Sequence, residues 1–363
     1  MSILKNRVCS LSATVRRLAL AAAMGVLCTL AIANPPCPSD LDGNGLVDNA
    51  DISLLLLDFG SCTGCPSDLD GNDVVDNADI SLLLLEFGDC PIWYTVLEQT
   101  PNASVVPDAT LRAAITATNL PWRVRDTSTG IEMVLIPPGT FTMGCSESNR
   151  YGCYGAESPT HQVTLTQAFY LSRTEVTQAQ WLAKMGSNPS YYQSASSAVP
   201  ASEVPNRPVE QVSWNDIQPF CTATGMRLPT EAEWEYAYRA GTTTAFHGMP
   251  GYLNGTNDDN QLGTIAWFSS NSGSTTRPVA GKAANGFGLY DMSGNVWEWC
   301  QDWYGTYASG AQTNPTGPGS GSYRVLRGGS WSYDSYACRA STRGGNSPGN
   351  RFSNFGFRVA RTR

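Results

Sequence analysis

The chain has 363 residues and a formal net charge of −8 at pH 7, from 31 acidic and 23 basic side chains. This length is sufficient for two or three domains, and the acidic balance argues against nucleic acid, which requires a basic face. Only two histidines are present, so a catalytic zinc site would need a third ligand of another type.

The first 33 residues have the pattern of an export signal. Basic residues precede an apolar run from Leu18 to Ile32, and Ala31-Ile-Ala33 matches a small-residue cleavage site. The run is too short and too rich in alanine to favour a membrane anchor. We therefore expect a signal peptide over residues 1–33 and a mature protein that is secreted or held at the cell surface.

Residues 34–92 contain a repeat in which the motif beginning at Cys37 returns at Cys65. In each copy, Asp and Asn side chains occupy the ligand positions of a twelve-residue calcium loop, with a backbone carbonyl at position seven. The predicted calcium ligands are Asp40, Asp42, Asn44, Leu46, Asp48 and Asp51 in the first loop, and Asp68, Asp70, Asn72, Val74, Asp76 and Asp79 in the second.

A segment with helical apolar spacing follows each loop, for example Ile52, Leu55, Leu56 and Phe59 after the first. No helix has room to precede either loop, so this arrangement resembles a dockerin. The resemblance implies a small all-α calcium module over 34–92 that binds a cohesin-like partner. Two such helices form a core too small to stand alone without metal or crosslinks.

Four cysteines bracket the two repeats of this module, Cys37 with Cys62 and Cys65 with Cys90. In an exported protein these favour one disulfide within each repeat. A single bond between Cys37 and Cys90 is the alternative.

The interval 93–129 is predicted to be a linker with one short helix, which Asp108 can cap. The domain that follows, 130–363, has three capping boxes that predict the starts of short helices. These are Thr177 with Gln180, Ser213 with Asp216, and Thr230 with Glu233.

The segment Gly288–Cys300 indicates a further calcium site. Asp291 and Glu298 lie on either side of a Gly-Asn bend, after which the chain reads as extended. Carbonyls two residues apart in an extended chain point the same way, so those of Gly294 and Val296 can converge with the two carboxylates. Such an all-oxygen set suits calcium. The alternative is a Trp-rich core strand whose carboxylates are satisfied by other partners.

Five motifs occur in the order seen in the formylglycine-generating (sulfatase-modifying) enzyme family. They are Ile136–Gly144, Arg227–Tyr236, Gly288–Cys300, Arg327–Trp331 and Asn354–Arg358. The resemblance implies an irregular α+β fold of the C-type-lectin-like kind over 130–363 and a calcium site at Asp291, Gly294, Val296 and Glu298. It also implies a ligand groove for a peptide or a glycan near Trp297, Ser330, Trp331 and Asn354.

Catalytic members of that family hold copper(I) with two cysteines, two and seven residues after the aromatic of a Gly-Gly-Ser-aromatic motif. Counted from Trp331, those positions hold Tyr333 and Cys338, so one cysteine is missing. Counted backwards from Arg343, Cys338 matches neither. Because copper(I) prefers sulfur ligands, one thiolate cannot form the paired site.

We therefore predict a non-catalytic binding or accessory module that is tethered through the dockerin-like module. The alternative is a copper-dependent oxidase that converts a sulfatase cysteine to formylglycine, with Cys338 as its catalytic residue. The other cysteines of this domain predict a local Cys145–Cys153 disulfide and a long Cys300–Cys338 disulfide, with Cys221 left as a small buried side chain.

Overall fold

The computed structural model describes residues 39–41, 46–61, 65–70, 72–85, 87–89, 93–145 and 152–362. The chain divides into two compact units, Met1–Ile92 and Trp93–Arg363. The predicted signal peptide and the predicted calcium ligands Asp42 and Asn44 lie outside the described residues. Within the described part of the chain, no helix combines the length and apolar character needed to cross a bilayer.

The described part of the first unit contains two helices of nine residues, α1 (Asn49–Leu57) and α2 (Asn77–Leu85). It is not purely helical, because two short antiparallel strand pairs connect the loops. Strand β1 (Leu46–Val47) pairs with β4 (Gly88–Asp89), and β2 (Gly60–Ser61) pairs with β3 (Val74–Val75). Each pair joins one predicted calcium loop to the segment that follows the other helix, so the two repeats support one another.

Among its described residues, the first unit has a very small core. Its fully buried apolar side chains are Val47, Leu55, Val75 and Leu83. Leu56 and Phe59, which share the predicted apolar face of α1, are about half exposed. So little buried apolar area offers weak stabilisation by itself.

The second unit contains a five-stranded antiparallel sheet in the order β18-β10-β7-β6-β5. Its strands are β5 (Tyr94–Glu98), β6 (Arg123–Asp126), β7 (Glu132–Ile136), β10 (Phe169–Ser172) and β18 (Ala360–Thr362). The interval 93–129 is therefore not a linker: it supplies β5, β6 and helix α3 (Ala109–Thr116), which Asp108 caps as predicted. Trp122 and Val124 are fully buried, which anchors this interval in the main core.

Two further sheets and a strand pair complete the second unit. The four-stranded sheet has the order β16-β15-β13-β17, and the three-stranded sheet has the order β14-β9-β8. Their strands are β8 (Gly139–Met143), β9 (His161–Leu165), β13 (Trp297–Trp303), β14 (Gln312–Thr313), β15 (Arg324–Arg327), β16 (Arg343–Asn346) and β17 (Phe355–Gly356). Strand β11 (Ala266–Trp267) pairs with β12 (Ser293–Gly294).

Three helices begin at the predicted capping boxes: α4 (Gln178–Met185), α5 (Trp214–Thr224) and α6 (Glu231–Arg239). In each, the Ser or Thr side chain accepts a backbone N–H while the side chain three residues on accepts the N–H of the cap. The mixture of helices, small sheets and long irregular segments is an α+β architecture.

The Cys145–Cys153 disulfide is present, but the predicted Cys300–Cys338 disulfide is wrong. Both thiols are free and buried, as is Cys221. Cys300 packs in the main core, whereas Cys338 belongs to a separate apolar cluster with residues such as Phe246. Cys65 is disulfide-bonded, and Cys37, Cys62 and Cys90 lie outside the described residues.

Candidate functional site

The second repeat folds into a compact acidic loop. One carboxylate oxygen from each of Asp68, Asp70 and Asp79 lies within 4.8 Å of the others. Asp79, the last residue of the predicted loop, is fully buried. It accepts backbone N–H bonds from Leu69 at 2.8 Å and Asp76 at 2.8 Å, which fold both ends of the loop around its carboxylate.

The middle of this loop turns through Asp73, whose φ of 65° is left-handed. Asp is one of the few non-glycine residues that tolerate this conformation. The backbone N–H of Asp73 donates to Asp68 at 2.8 Å. Burial, followed by the nearby charges of Asp79 and Asp68, raises the pKa of Asp70. The loop thus gathers negative oxygen atoms that a hard cation such as calcium would neutralise.

The first repeat places its last residue in the same way. Asp51 is fully buried and accepts the backbone N–H of Leu41 at 2.6 Å and of Asp48 at 2.9 Å. Asp48 in turn caps helix α1. The described part of this loop therefore reproduces the fold of the second.

In the second unit, Asp291 and Glu298 are both buried. Both oxygens of Glu298 accept from Arg358, at 2.6 and 2.7 Å, and one also accepts from Trp234 Nε1 at 2.6 Å. Asp291 Oδ2 accepts the backbone N–H of Ala280 at 2.7 Å. These bonds agree in part with the alternative stated above, in which protein groups satisfy the hydrogen bonding of the two carboxylates.

A third buried carboxylate, Glu175, joins this region, and sequence reasoning missed it. Its two oxygens accept from the Val296 backbone N–H at 3.0 Å and from Asn295 Nδ2 at 2.6 Å. Burial, followed by the charges of Asp291 and Glu298, raises its pKa well above the ordinary value. Nothing in the local sequence marks Glu175, because its partners are more than a hundred residues away in the chain.

The bend at Gly294 brings these groups together. Gly294 has a φ of 79°, and a Cβ there would overlap the carbonyl oxygen of Trp267. When Glu175, Asp291 and Glu298 are all ionised, Arg358 leaves two negative charges uncompensated. Burial raises the pKa of Asp291 to about 6. Protonation or a bound divalent cation would each relieve this excess.

The residues of the predicted ligand groove include paired aromatic rings. Trp297 is almost fully buried and meets the 39 % exposed ring of Tyr333 edge-on at 5.5 Å between centroids. The rings of Trp331 and Tyr192 are arranged likewise at 5.6 Å. The fixed rings offer apolar edges and faces at low cost in side-chain entropy.

Polar side chains of the groove hold one another in place. Asn354 Nδ2 donates to Ser330 Oγ at 3.3 Å and to Ser332 Oγ at 3.1 Å, and Trp331 Nε1 donates to the Ser353 carbonyl at 3.1 Å. The structure therefore brings the predicted groove residues together and adds Tyr192, Ser332 and Tyr333 to them.

The thiols of this unit are poorly placed for metal chemistry. Cys338 is fully buried, and this burial raises its pKa to about 12. Burial also raises the pKa of Cys300 well above its ordinary value. The reactive and metal-binding form of cysteine is the thiolate, so both side chains behave as small buried apolar groups at neutral pH.

Comparisons with known proteins agree with this architecture. Residues 122–363 match the family described as sulfatase-modifying factor enzyme 1-like domain. The formylglycine-generating enzyme of Streptomyces coelicolor is 33 % identical over 62 % of this chain and 88 % of its own length. The serine/threonine-protein kinase pkn1 of Chlamydia caviae is 36 % identical over 63 % of this chain but only 38 % of the kinase.

A solved structure, the Treponema denticola variable protein 1, matches with a TM-score of 0.56 and 32 % identity. The match covers 64 % of this chain and 95 % of that one. The domain thus resembles proteins named for formylglycine generation and proteins with other names.

Proposed function

Because the chain belongs to the sulfatase-modifying factor enzyme 1-like family, we propose that its second unit keeps the family fold as a binding module without cysteine-oxidising activity. The observation that carries this proposal is the state of the thiols near Trp331. Tyr333 occupies the first expected copper position, and Cys338 is a single buried, protonated thiol. Copper(I) bound through sulfur needs accessible paired thiolates.

A peptide-oxidation assay tests this proposal. The purified protein is incubated with a Cys-x-Pro-x-Arg peptide and copper(I), and the products are followed by mass spectrometry. We expect no formylglycine, while the Streptomyces coelicolor relative serves as the positive control. Copper-dependent turnover by the unmodified chain would instead support the second candidate, a formylglycine-generating oxidase, which the 33 % identity to that enzyme favours.

The ligand of this module would be a peptide or a glycan that lies against Trp297, Trp331 and Tyr333. Binding to peptide and glycan arrays should fall by about tenfold in Tyr333→Ala, since the loss of one well-packed aromatic contact removes about 1.4 kcal/mol. The matched control is Tyr323→Ala, which truncates a half-exposed tyrosine that directly precedes β15 and lies outside the predicted groove residues. Equal binding by both variants would contradict the groove assignment.

The first unit would bind calcium in its two loops and dock to a cohesin-like partner on an exported protein. The convergence of Asp68, Asp70 and Asp79 supports calcium, and the repeated loop-helix order supports the dockerin comparison. Asn49-Ala50 and Asn77-Ala78 would face the partner; both are exposed in α1 and α2. Pull-down with a purified cohesin domain in calcium, and its loss in chelator, would test this tether.

In the second unit, Asp291 and Glu298, with the Gly294 and Val296 carbonyls, would hold another calcium ion, with Glu175 as an added carboxylate. The raised pKa values of Glu175 and Asp291 support this assignment, because they reflect negative charge that Arg358 alone does not offset. A divalent ion there would supply charge neutralisation and hold the bend in place, with no part in catalysis. Calcium-45 binding by the second unit with a loss in Glu175→Gln is the expected result.

A further inference from the structure

A separate cavity of about 460 Å³ lies beside the beginning of helix α6. Its walls share no residue with the aromatic groove. They combine the rings of Trp303 and Tyr307 with Pro315 and Pro318, and the buried carboxylate of Asp302 also lines the space. A cavity of this size accommodates a small molecule or one long side chain.

Asp302 is 4 % exposed and accepts the Glu231 backbone N–H at 2.9 Å. Glu231, in the same wall, is paired with Arg343 through two bonds of 2.7 and 2.5 Å. Across the described part of the second unit, Asp302 has no such ion pair. Asp302 is therefore a buried carboxylate beside a cavity, with no direct ion pair of its own among the described residues.

Charged and titratable groups from several neighbouring elements surround Asp302. These groups are Glu231 and Glu233 of α6, Arg324 of β15, Arg343 of β16, His161 of β9 and Tyr307. Arg324 stacks on the Trp303 ring and donates to the Gln301 carbonyl. Burial, followed by the charge of Glu231, raises the pKa of Asp302 to about 7, so a cation beside Asp302 would stabilise its ionised form.

We propose that this cavity binds an organic cation, an alkylammonium or guanidinium group, whose charge pairs with Asp302. The aromatic and proline walls would cover the alkyl stem of the cation, because the stems of Lys and Arg side chains generally pack along apolar surface. A metal ion fits less well, because among the described residues His161, Glu231 and Asp302 do not form a set of mutually close ligand atoms. This inference does not depend on the ligand of the groove.

The competing explanation is that Asp302 serves only to accept the first N–H of α6. Calorimetric titration of the full mature protein at pH 8 distinguishes the two. The probes are agmatine, as a free cation, and Nα-acetyl-lysine N-methylamide, as a side chain of a partner. Nα-acetyl-norleucine N-methylamide is the neutral control.

We expect at least one cation to bind about tenfold or more tightly than the norleucine control. Tighter binding of agmatine would indicate a free cation as the ligand, and tighter binding of the lysine derivative would indicate a side chain of a partner. Affinity should fall about tenfold per pH unit below pH 7, because a proton then competes for Asp302. Absence of binding by both cations, or equal binding of the neutral control, would overturn the proposal.

Two variants complete the test. Asp302→Asn keeps an oxygen to accept the Glu231 N–H but removes the charge, and it should lose at least about tenfold in affinity. Ala308→Trp would fill the exposed mouth of the cavity, and Ala311→Trp, exposed in the same loop but outside the lining, is its control. Should Asp302→Asn fail to fold, loss of binding in Ala308→Trp alone supports the site, and unchanged binding there refutes it.

Discussion

Replacing Asp302 with asparagine also has a calculable effect on stability. The pKa of Asp302 is about 7 in the folded protein, against an ordinary value of 3.8. This difference of roughly 3 pKa units corresponds to about 4 kcal/mol, at 1.36 kcal/mol per unit. Burial without a cation therefore makes ionised Asp302 a source of instability, which asparagine removes while it still accepts the Glu231 N–H.

The sign follows from proton binding. Between pH 3.8 and about 7 the folded state holds a proton on Asp302 that the unfolded state has lost. The free energy of unfolding of the native sequence must therefore fall as the pH rises through this window, and the full penalty is reached above pH 7. Asp302→Asn should change little at pH 4 and raise the free energy of unfolding by up to roughly 4 kcal/mol at pH 8.

Urea unfolding followed by tryptophan fluorescence is the suitable assay, because all ten tryptophans lie in the second unit. The first unit is therefore silent in this signal. Asp334→Asn, which neutralises an exposed carboxylate, is the control. A change in stability that is equal at pH 4 and pH 8, or a loss of stability at pH 8, would refute the argument.

Three further outcomes are expected. Chelation of calcium should abolish the helical signal of the first unit in circular dichroism, and Asp79→Asn should do so even with calcium. The control Asp73→Asn should keep the signal, because its position tolerates a left-handed turn. Helix that persists in chelator would contradict the loop assignment. Calcium should raise the midpoint of unfolding detected by tryptophan fluorescence. Glu175→Gln should raise this midpoint without calcium and abolish the further effect of calcium. A calcium effect that is unchanged in Glu175→Gln would exclude Glu175 as a ligand. Alkylation after denaturation without reductant should label Cys300 and Cys338, and a mass corresponding to their disulfide would contradict the structure.

The features that sequence predicted correctly depend on short stretches of chain. Each capping box requires two side chains three residues apart, and the Cys145–Cys153 disulfide closes a loop of a few residues. The clustered carboxylates of Asp68, Asp70 and Asp79 likewise lie within twelve residues of chain. Such local rules do not depend on how distant segments pack, so they survive in the folded protein.

The failures concern contacts between distant segments. The interval 93–129 is predicted to be a linker with one short helix, but β5 pairs with β6 and β6 pairs with β7, so the interval joins the five-stranded sheet. The predicted Cys300–Cys338 disulfide does not form, and the two thiols pack in different apolar clusters. Glu175 gave no signal, because its role arises from residues on a distant bend.

The arginine and glutamate residues of the family motifs stabilise the fold, so their presence does not by itself indicate a particular activity. Glu235 of the second motif pairs with Arg327 of the fourth, and Glu298 of the third pairs with Arg358 of the fifth. All four side chains are fully buried. Breaking one such pair would leave an uncompensated charge in the core and cost several kcal/mol.

Two buried ion pairs thus join four of the five motifs, and they stabilise the second unit whatever it binds. Activity depends instead on side chains between the motifs, where Tyr333 and Cys338 lie. A chain can therefore keep every motif and still lack the paired thiolates that copper chemistry requires. For this reason the thiols around Trp331, rather than the family match, carry the proposal of a binding module.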